Sequence, residues 1–142
     1  MKSRLEHGGR LIVSLERGDD IRSVVETLAA EKGIVAAELS AIGAIEDPLL
    51  GFYDLRDKEY RRKPFPGIWE LVSLQGNITM RDGKPFLHAH VAIGGSDFRT
   101  FGGHLFDGKT GVVIEMFIVP LGRPLHRIPC DEIGLARWEP DR

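Results

Sequence analysis

Three histidines have the residue type and the spacing of a metal site. His88 and His90 are separated by one residue within an apolar stretch, and His104 follows later in the chain. Side chains at positions i and i+2 of a strand point to the same face, about 6–7 Å apart. Two imidazoles placed in this way can reach one ion at about 2.0–2.1 Å from each nitrogen.

The position of the third histidine decides what kind of site this is. If the chain folds back at Gly94–Asp97, His104 is predicted to lie opposite residue 87 or 88, beside the pair. Gly102 and Gly103 keep its approach uncrowded. Three nitrogen ligands with an open fourth position are typical of a catalytic zinc site rather than a structural one. From the spacing alone, hydrogen-bonded core histidines and a chance pair remain alternatives.

Two carboxylates, Glu70 and Glu115, lie inside apolar segments and are the candidates for catalysis. A buried carboxylate is costly unless it is paired or hydrogen-bonded. Either one could act as a general base near the metal or hold a ligating imidazole in its tautomer. The alternative is a structural ion pair, with an arginine across a subunit boundary. Asn77 is either a turn residue or a polar group of the site, and Arg99 is either an anion ligand or simply exposed.

The charge pattern argues against a dedicated duplex-DNA binder. The formal net charge is −2 at pH 7 and the pI is about 6.2, whereas such proteins usually carry a basic face or stripe. The basic segment Arg56–Lys63 also contains Asp57 and Glu59 and is interpreted as a solvated loop or hairpin tip. A Ser-His-Asp order, a phosphate-binding glycine loop and a CxxC motif are all missing from the sequence.

The apolar segments and the cysteine content favour a cytoplasmic protein without membrane association. The run Val112–Pro120 is interrupted by Glu115 and is shorter than the roughly 20 residues of a membrane helix. The segment Met1–His7 is too charged for a secretion signal. The single cysteine, Cys130, has no partner for an internal disulfide and is interpreted as an inert thiol.

One segment has the periodicity of an amphipathic helix. Asp20 is placed to cap its start, and Gly33 supplies a stop at its end. Apolar residues between them recur at i, i+3, i+4, i+7 and i+8, which predicts one buried helix face. These residues are Ile21, Val24, Val25, Leu28 and Ala29.

Beyond Gly33 the sequence predicts β structure almost throughout. Val35–Glu46 and Leu49–Leu55 are predicted as separate strands, and Asp82–Gly83 as a hairpin turn. Further strands are predicted at Arg10–Glu16, Glu59–Lys63, Ile68–Arg81, Lys84–Ile93, Thr100–Phe106, Val112–Val119 and Leu135–Glu139, with a turn at Asp107–Gly111. We therefore expect an α+β fold, in which one main helix packs on a mostly antiparallel sheet of about seven strands.

Several predicted strands are apolar on both faces. In Val112–Val119 only Glu115 is charged. The helix can cover only one face of the sheet, so a second packed sheet or a subunit partner must cover the other. We expect a homo-oligomer.

Four segments, in this order, together resemble the plants-and-prokaryotes-conserved (PPC) domain. They are Glu70–Asn77, Leu87–Val91, Gly102–Leu105 and Glu115–Ile118. The resemblance spans about residues 5–140. Residues 1–142 are interpreted as a single domain.

The resemblance has implications for assembly, metal and partners. It implies a trimer of α+β subunits and a metal ion, zinc, bound through His88, His90 and His104. Three imidazoles also accept other divalent transition metals such as iron, nickel or copper. The family is often labelled DNA-binding, but Gly122-Arg123-Pro124 lacks the flanking basic residues of an AT-hook.

We therefore predict a small metal-binding protein with a regulatory or assembly role that recognises a small ligand or another protein. One alternative is a metal-dependent enzyme in which the ion activates water and Glu70 or Glu115 moves the proton. The other alternative is a DNA-binding protein, as the family label says.

Overall fold

The computed structural model describes residues 1–140 of the chain. Within them the chain forms one helix and a mixed, chiefly antiparallel sheet, which confirms the predicted α+β class. The single parallel contact joins Met80 to His126. The elements in chain order are β1 (Lys2–Leu5), β2 (Leu11–Glu16), α1 (Ile21–Glu31), β3 (Ala37–Asp54), β4 (Glu59–Pro64), β5 (Ile68–Arg81), β6 (Lys84–Gly94), β7 (Thr100–Pro120), β8 (His126–Cys130) and β9 (Leu135–Glu139).

Helix α1 begins and ends where its capping residues predict. The Asp20 side chain accepts a hydrogen bond from the Ser23 backbone N–H at 2.7 Å, which satisfies one free amide of the first turn. After the helix, Gly33 takes a left-handed conformation with φ of 64°. The buried face consists of Ile21, Val25, Leu28 and Ala29. In residues 1–140 no helix has the length and apolar character needed to cross a bilayer.

Two predicted strand breaks are wrong, because β3 and β7 each continue through them. The predicted turn at Asp107–Gly111 lies inside β7, where Thr110 pairs with Ile45 of β3. A Cβ at Gly108 would lie 2.7 Å from Ile45 Cδ1. This glycine therefore lets two strands approach closely instead of reversing the chain, and shifts in the β3–β7 register absorb the irregularity.

The segment after β7, called the tail here, contains Pro124 and Pro129 and adds a hairpin to the sheet. Strand β9 matches its prediction, whereas its partner β8 was not predicted. The two strands pair antiparallel, with Arg127 opposite Trp138. A hydrogen bond of 2.9 Å from the Met80 N–H to the Leu125 carbonyl attaches the start of this β8–β9 hairpin to the end of β5.

The hydrophobic core lies between α1 and one face of the sheet. Leu15, Ile21, Leu74, Ile93 and Ile114 are among its fully buried side chains. The opposite face of the sheet carries exposed large apolar side chains. There, Ile42 is 57% exposed and Phe117 is 51% exposed.

Candidate metal centre

Strands β6 and β7 bring the three histidines onto one face of the sheet. His90 lies directly opposite His104 in the antiparallel register, so their side chains point to the same side. His88 precedes His90 by two residues and shares that side. The neighbours Leu87, Ala89 and Val91 point to the opposite side, into the core.

The register differs from the predicted one, in which His104 faced residue 87 or 88. The centre of the reversal lies farther along the chain than the predicted turn at Gly94–Asp97. There the Gly95 N–H donates to the Arg99 carbonyl and the Phe98 N–H donates to the Gly95 carbonyl, both at 2.9 Å. Phe98 takes a left-handed φ of 61° in this turn. The shift places His104 opposite His90 and brings the three rings together.

The three imidazoles form a close cluster. The ring centroids lie 5.2 Å apart for His88 and His90, 5.0 Å for His88 and His104, and 5.5 Å for His90 and His104. Each residue offers one nitrogen, and these nitrogens all lie within 4.8 Å of one another. Nitrogens on one tetrahedral zinc ion are about 3.4 Å apart, given bonds of about 2.1 Å. Small side-chain movements can therefore bring the three donors to one ion.

Burial keeps two of the three histidines in the state that binds metal. Burial, and secondarily the charge of Arg127, lowers the pKa of His88 to about 4. Burial and the neighbouring His88 lower the pKa of His104 to about 4. Both rings are therefore neutral at pH 7, which is the charge state in which an imidazole binds a metal. His90 is exposed.

One ring nitrogen of the cluster lacks a partner within the described chain. Nδ1 of His104 is buried and makes no hydrogen bond with any group of residues 1–140. The ring packs against Tyr60 and Phe106, with centroids 5.1 Å and 4.7 Å away. Since buried polar atoms are normally satisfied, this orphaned nitrogen fits a role as a metal ligand.

The other side of His88 is held by Arg127, a residue that the sequence analysis missed. Arg127 Nη2 lies 3.0 Å from His88 Nδ1 and also donates to Asn77 Oδ1 at 3.0 Å. Its Nε donates to Thr79 Oγ1 at 2.9 Å. Asn77 is therefore a polar group beside the histidines, one of its two predicted roles. No motif marks Arg127, and strand β8, on which it lies, was not predicted.

Helix α1 supports the two strands where they separate. Pairing of β6 with β7 stops at His90 and His104, which leaves backbone groups beyond them without a ladder partner. Arg22 donates to the Leu87 carbonyl at 2.8 Å and to the Leu105 carbonyl at 3.1 Å. Glu26 accepts from the Leu87 N–H at 2.9 Å. These contacts satisfy groups next to His88 and His104, and the helix periodicity, which marks apolar positions, does not reveal them.

Two glycines let neighbouring backbones come close beside the three histidines. A Cβ at Gly76 would lie 2.6 Å from the His88 carbonyl oxygen. A Cβ at Gly103 would lie 2.7 Å from the Gly51 carbonyl oxygen. Any larger residue would push the neighbouring strand away from the cluster.

The structure does not bring the predicted carboxylates to the histidines. Glu70 and Glu115 are both exposed; Glu70 lies opposite Gly94, and Glu115 lies opposite Ser14. Arg99 is also exposed, on the β6–β7 turn. Glu38, which the sequence analysis missed, shares a cavity of about 570 Å³ with His88 and His90. It was missed because only the pairing of β3 with β5 places it opposite Asn77.

The fold and the site define a class of protein: an α+β chain whose sheet presents three clustered histidines beside an open cavity. The family model of the Plants and Prokaryotes Conserved (PCC) domain, abbreviated PPC above, matches residues 3–122. The chain belongs to this family, and the resemblance seen in its motifs is confirmed.

Solved structures of similar proteins support the family and the fold. A metal-containing protein from Archaeoglobus fulgidus is 39% identical, with a TM-score of 0.88 over 98% of this chain and 99% of that one. A PPC protein from Pyrococcus horikoshii is 31% identical, with a TM-score of 0.87 over 99% and 96% of the two chains. A candidate DNA-binding protein from Bacteroides thetaiotaomicron is 27% identical, with a TM-score of 0.93 over 99% and 98%. None of the curated proteins compared with the chain matches it.

Proposed function

We propose that this chain is a metal-binding PPC protein that holds a zinc ion through His88, His90 and His104. The observation that carries the proposal is the cluster of three ligand nitrogens within 4.8 Å of one another. The unpartnered Nδ1 of His104 supports it, as does the description of the Archaeoglobus fulgidus relative as metal-containing. Zinc is favoured because it commonly binds imidazole nitrogens in sites with three protein ligands, although other divalent transition metals accept the same donors.

The role that fits this site best is regulatory recognition of a small ligand or a protein. A cavity of about 570 Å³ opens beside His88 and His90, a size ordinary for small-molecule sites. The bound ion would offer a coordination position to a ligand in this cavity. Gln75, Asn77 and Ser40 of the lining would contribute hydrogen bonds to it.

The second candidate function is a metal-dependent enzyme that activates water. The observation that favours it is Glu38, an acidic side chain in the lining of the same cavity. A zinc ion lowers the pKa of its bound water, and Glu38 would accept or return the proton. Loss of a hydrolytic activity in Glu38→Gln, with metal content unchanged, would support this candidate over ligand recognition.

We propose that the protein assembles as a homotrimer in the cytoplasm. The exposed face around Ile42 and Phe117 supports assembly, because large apolar surfaces on soluble proteins usually mark interfaces. The single cysteine, Cys130, supports the cytoplasmic location, because small secreted domains are often rich in disulfides.

After a small ligand and another protein, DNA is the third partner class, and it is supported by the candidate DNA-binding relative from Bacteroides thetaiotaomicron. The net charge of −2 disfavours it. A gel shift that weakens steeply with rising salt would support DNA binding, because phosphate contacts release counterions.

Elemental analysis tests the metal proposal directly. The protein is purified without a nickel column, and zinc is counted per chain in wild type, His88→Ala and His104→Ala. His126→Ala is the matched control, since that histidine is exposed on β8 and outside the cluster. We expect about one zinc per wild-type and control chain and loss of zinc in the two cluster variants. Equal trace metal in all four proteins would contradict the proposal.

A further inference from the structure

A second cavity lies on the other side of the histidine cluster. Its volume is about 410 Å³, and it is lined by His88, His104 and the residues around Phe86. Three guanidinium groups surround the Phe86 ring, with Cζ atoms 5.5 Å, 5.2 Å and 5.5 Å from its centroid. They belong to Arg22, Arg81 and Arg127. Tyr60 and Phe106 complete an aromatic wall.

The positive charge of this cavity is only partly compensated. No acidic side chain from residues 1–140 lines it. Arg22 pairs with Glu26 at 3.3 Å, and Arg81 lies 3.8 Å from Asp82, whose side chain is 93% exposed and therefore a weak partner. Arg127 has no carboxylate partner in the described chain, and burial, followed by the charge of Arg81, lowers its pKa. Three like charges around one ring repel each other unless an anion joins them.

The three arginines differ in how free they are to bind. Arg22 and Arg127 already donate most of their side-chain N–H groups to other groups of the protein. The Arg81 side chain donates no hydrogen bond to the described chain and is 54% exposed. Its planar fork of donors is therefore available to an incoming oxyanion.

We propose that this cavity binds a small molecule that carries an oxyanion, either carboxylate or phosphate, on an aromatic or other planar ring. The guanidinium group of Arg81 binds the oxyanion, supported by the charges of Arg22 and Arg127. The ring packs against Tyr60 and Phe106. The recessed shape and modest volume fit a small molecule, whereas a nucleic-acid strand needs an extended basic surface.

This cavity shares His88 and His104 with the proposed metal cluster, and two variants distinguish the two functions. His90 belongs to the metal cluster but does not line this cavity. His90→Ala therefore removes one proposed metal ligand and leaves the lining of the cavity unchanged. Arg81→Gln removes the free guanidinium and leaves the histidines in place. Arg99→Gln is the matched control, because Arg99 is 80% exposed on the β6–β7 turn and outside the cavity.

Calorimetric titration of the metal-free full chain tests the proposal. The probes are benzoate, phenyl phosphate and benzamide, the last being a neutral analogue of benzoate. We expect saturable binding of at least one anion by wild type, His90→Ala and Arg99→Gln. In Arg81→Gln we expect the affinity to fall by about tenfold or more, the ordinary effect of losing a charged hydrogen bond. The tighter of the two anions identifies the preferred oxyanion.

Three results would overturn the proposal: binding of neither anion, equal affinity in wild type and Arg81→Gln, or equal binding of benzamide and benzoate. Arg81→Lys guards against a folding defect, since it keeps the charge but loses the fork. It should retain an affinity between those of wild type and Arg81→Gln. Zinc content is counted separately on the wild type as purified. Wild type that carries zinc but binds no anion would contradict this proposal alone, and wild type that binds the anion but carries no zinc would contradict the metal proposal alone.

Discussion

Nη2 of Arg127 lies 3.0 Å from Nδ1 of His88, so a residue of the tail controls the proton of a candidate metal ligand. Arginine has donors only, and the neutral His88 ring must therefore accept at Nδ1 and carry its proton on Nε2. Metal-binding histidines usually show the opposite arrangement, with the second nitrogen donating to an acceptor. Metal binding by His88 must therefore break its hydrogen bond with Arg127, so Arg127 competes with the metal for His88. After that break, Nη2 of Arg127 keeps Asn77 as a partner.

This competition predicts that Arg127→Gln tightens zinc binding. The glutamine side-chain carbonyl can accept a hydrogen bond from the Nδ1–H of a metal-bound His88, and the change removes a positive charge beside the ion. We expect the affinity for zinc to rise about tenfold, in line with the effect of groups that orient ligands. Competition with a fluorescent chelator measures it. Arg127→Lys, which keeps a charged donor, should show no such gain, and weaker zinc binding by Arg127→Gln would count against the competition.

The contacts of Arg22 predict a stability effect. Arg22→Met leaves the carbonyls of Leu87 and Leu105 without their donors, and unsatisfied polar groups of this kind cost about 1–3 kcal/mol each. We expect the free energy of unfolding to fall by about 3 kcal/mol in urea denaturation. The control Arg17→Met, at an exposed position, should change it by less than about 0.5 kcal/mol. Equal effects of the two changes would show that the helix does not support the strands in this way.

The close approach at Gly76 predicts a linked loss of stability and metal binding. In Gly76→Ala the new methyl group would meet the His88 carbonyl oxygen at 2.6 Å, so β6 must move. We expect a destabilisation of about 1–3 kcal/mol and weaker zinc binding, because His88 and His90 move with their strand. Gly122→Ala has open space around its Cβ and should behave like wild type in thermal melts and zinc titrations. An unchanged zinc affinity in Gly76→Ala would show that the close approach at Gly76 does not position the histidines.

The buried histidines predict a pH-dependent stability of the metal-free protein. The pKa of His88 and of His104 is lowered in the folded chain to about 4 from an ordinary value of 6.5. Between these values the unfolded chain binds protons that the folded chain does not, so acid favours unfolding. The contribution of these two histidines leaves the free energy of unfolding at its full value above a pH of about 6.5. It should lower this free energy by a few kcal/mol as the pH drops to about 4. His104→Gln removes one of the two groups, so urea melts at several pH values should show a slope reduced by about half.

The exposed apolar face predicts that one charge disrupts assembly. Phe117 is 51% exposed on the side of the sheet away from α1, and Phe117→Asp would place a carboxylate in the proposed subunit interface. We expect sedimentation equilibrium to show a trimer for wild type and a smaller species for Phe117→Asp. Phe98→Asp is the matched control, since Phe98 is 94% exposed at the tip of the β6–β7 turn. A monomeric wild type would contradict the trimer.

The local patterns of the sequence predicted the helix, most strands and the identity of the clustered histidines. Capping and periodicity involve residues within a few positions of one another, and their energies depend little on the rest of the chain. The His88-x-His90 pair is of the same kind, because strand geometry alone puts both side chains on one face. For this reason Asp20, Gly33 and the two histidines could be assigned without coordinates.

Only the tertiary structure decided the register and the surroundings of the histidines. Whether Gly108 makes a turn or a close strand contact depends on Ile45, about 60 residues earlier in the chain, and strand pairing carries no local signal. The same holds for Arg127 beside His88, for Glu38 in the neighbouring cavity, and for the exposed positions of Glu70 and Glu115. The sequence by itself determined which side chains could bind a metal, and the long-range pairing of β3, β5, β6 and β7 decided which groups surround them.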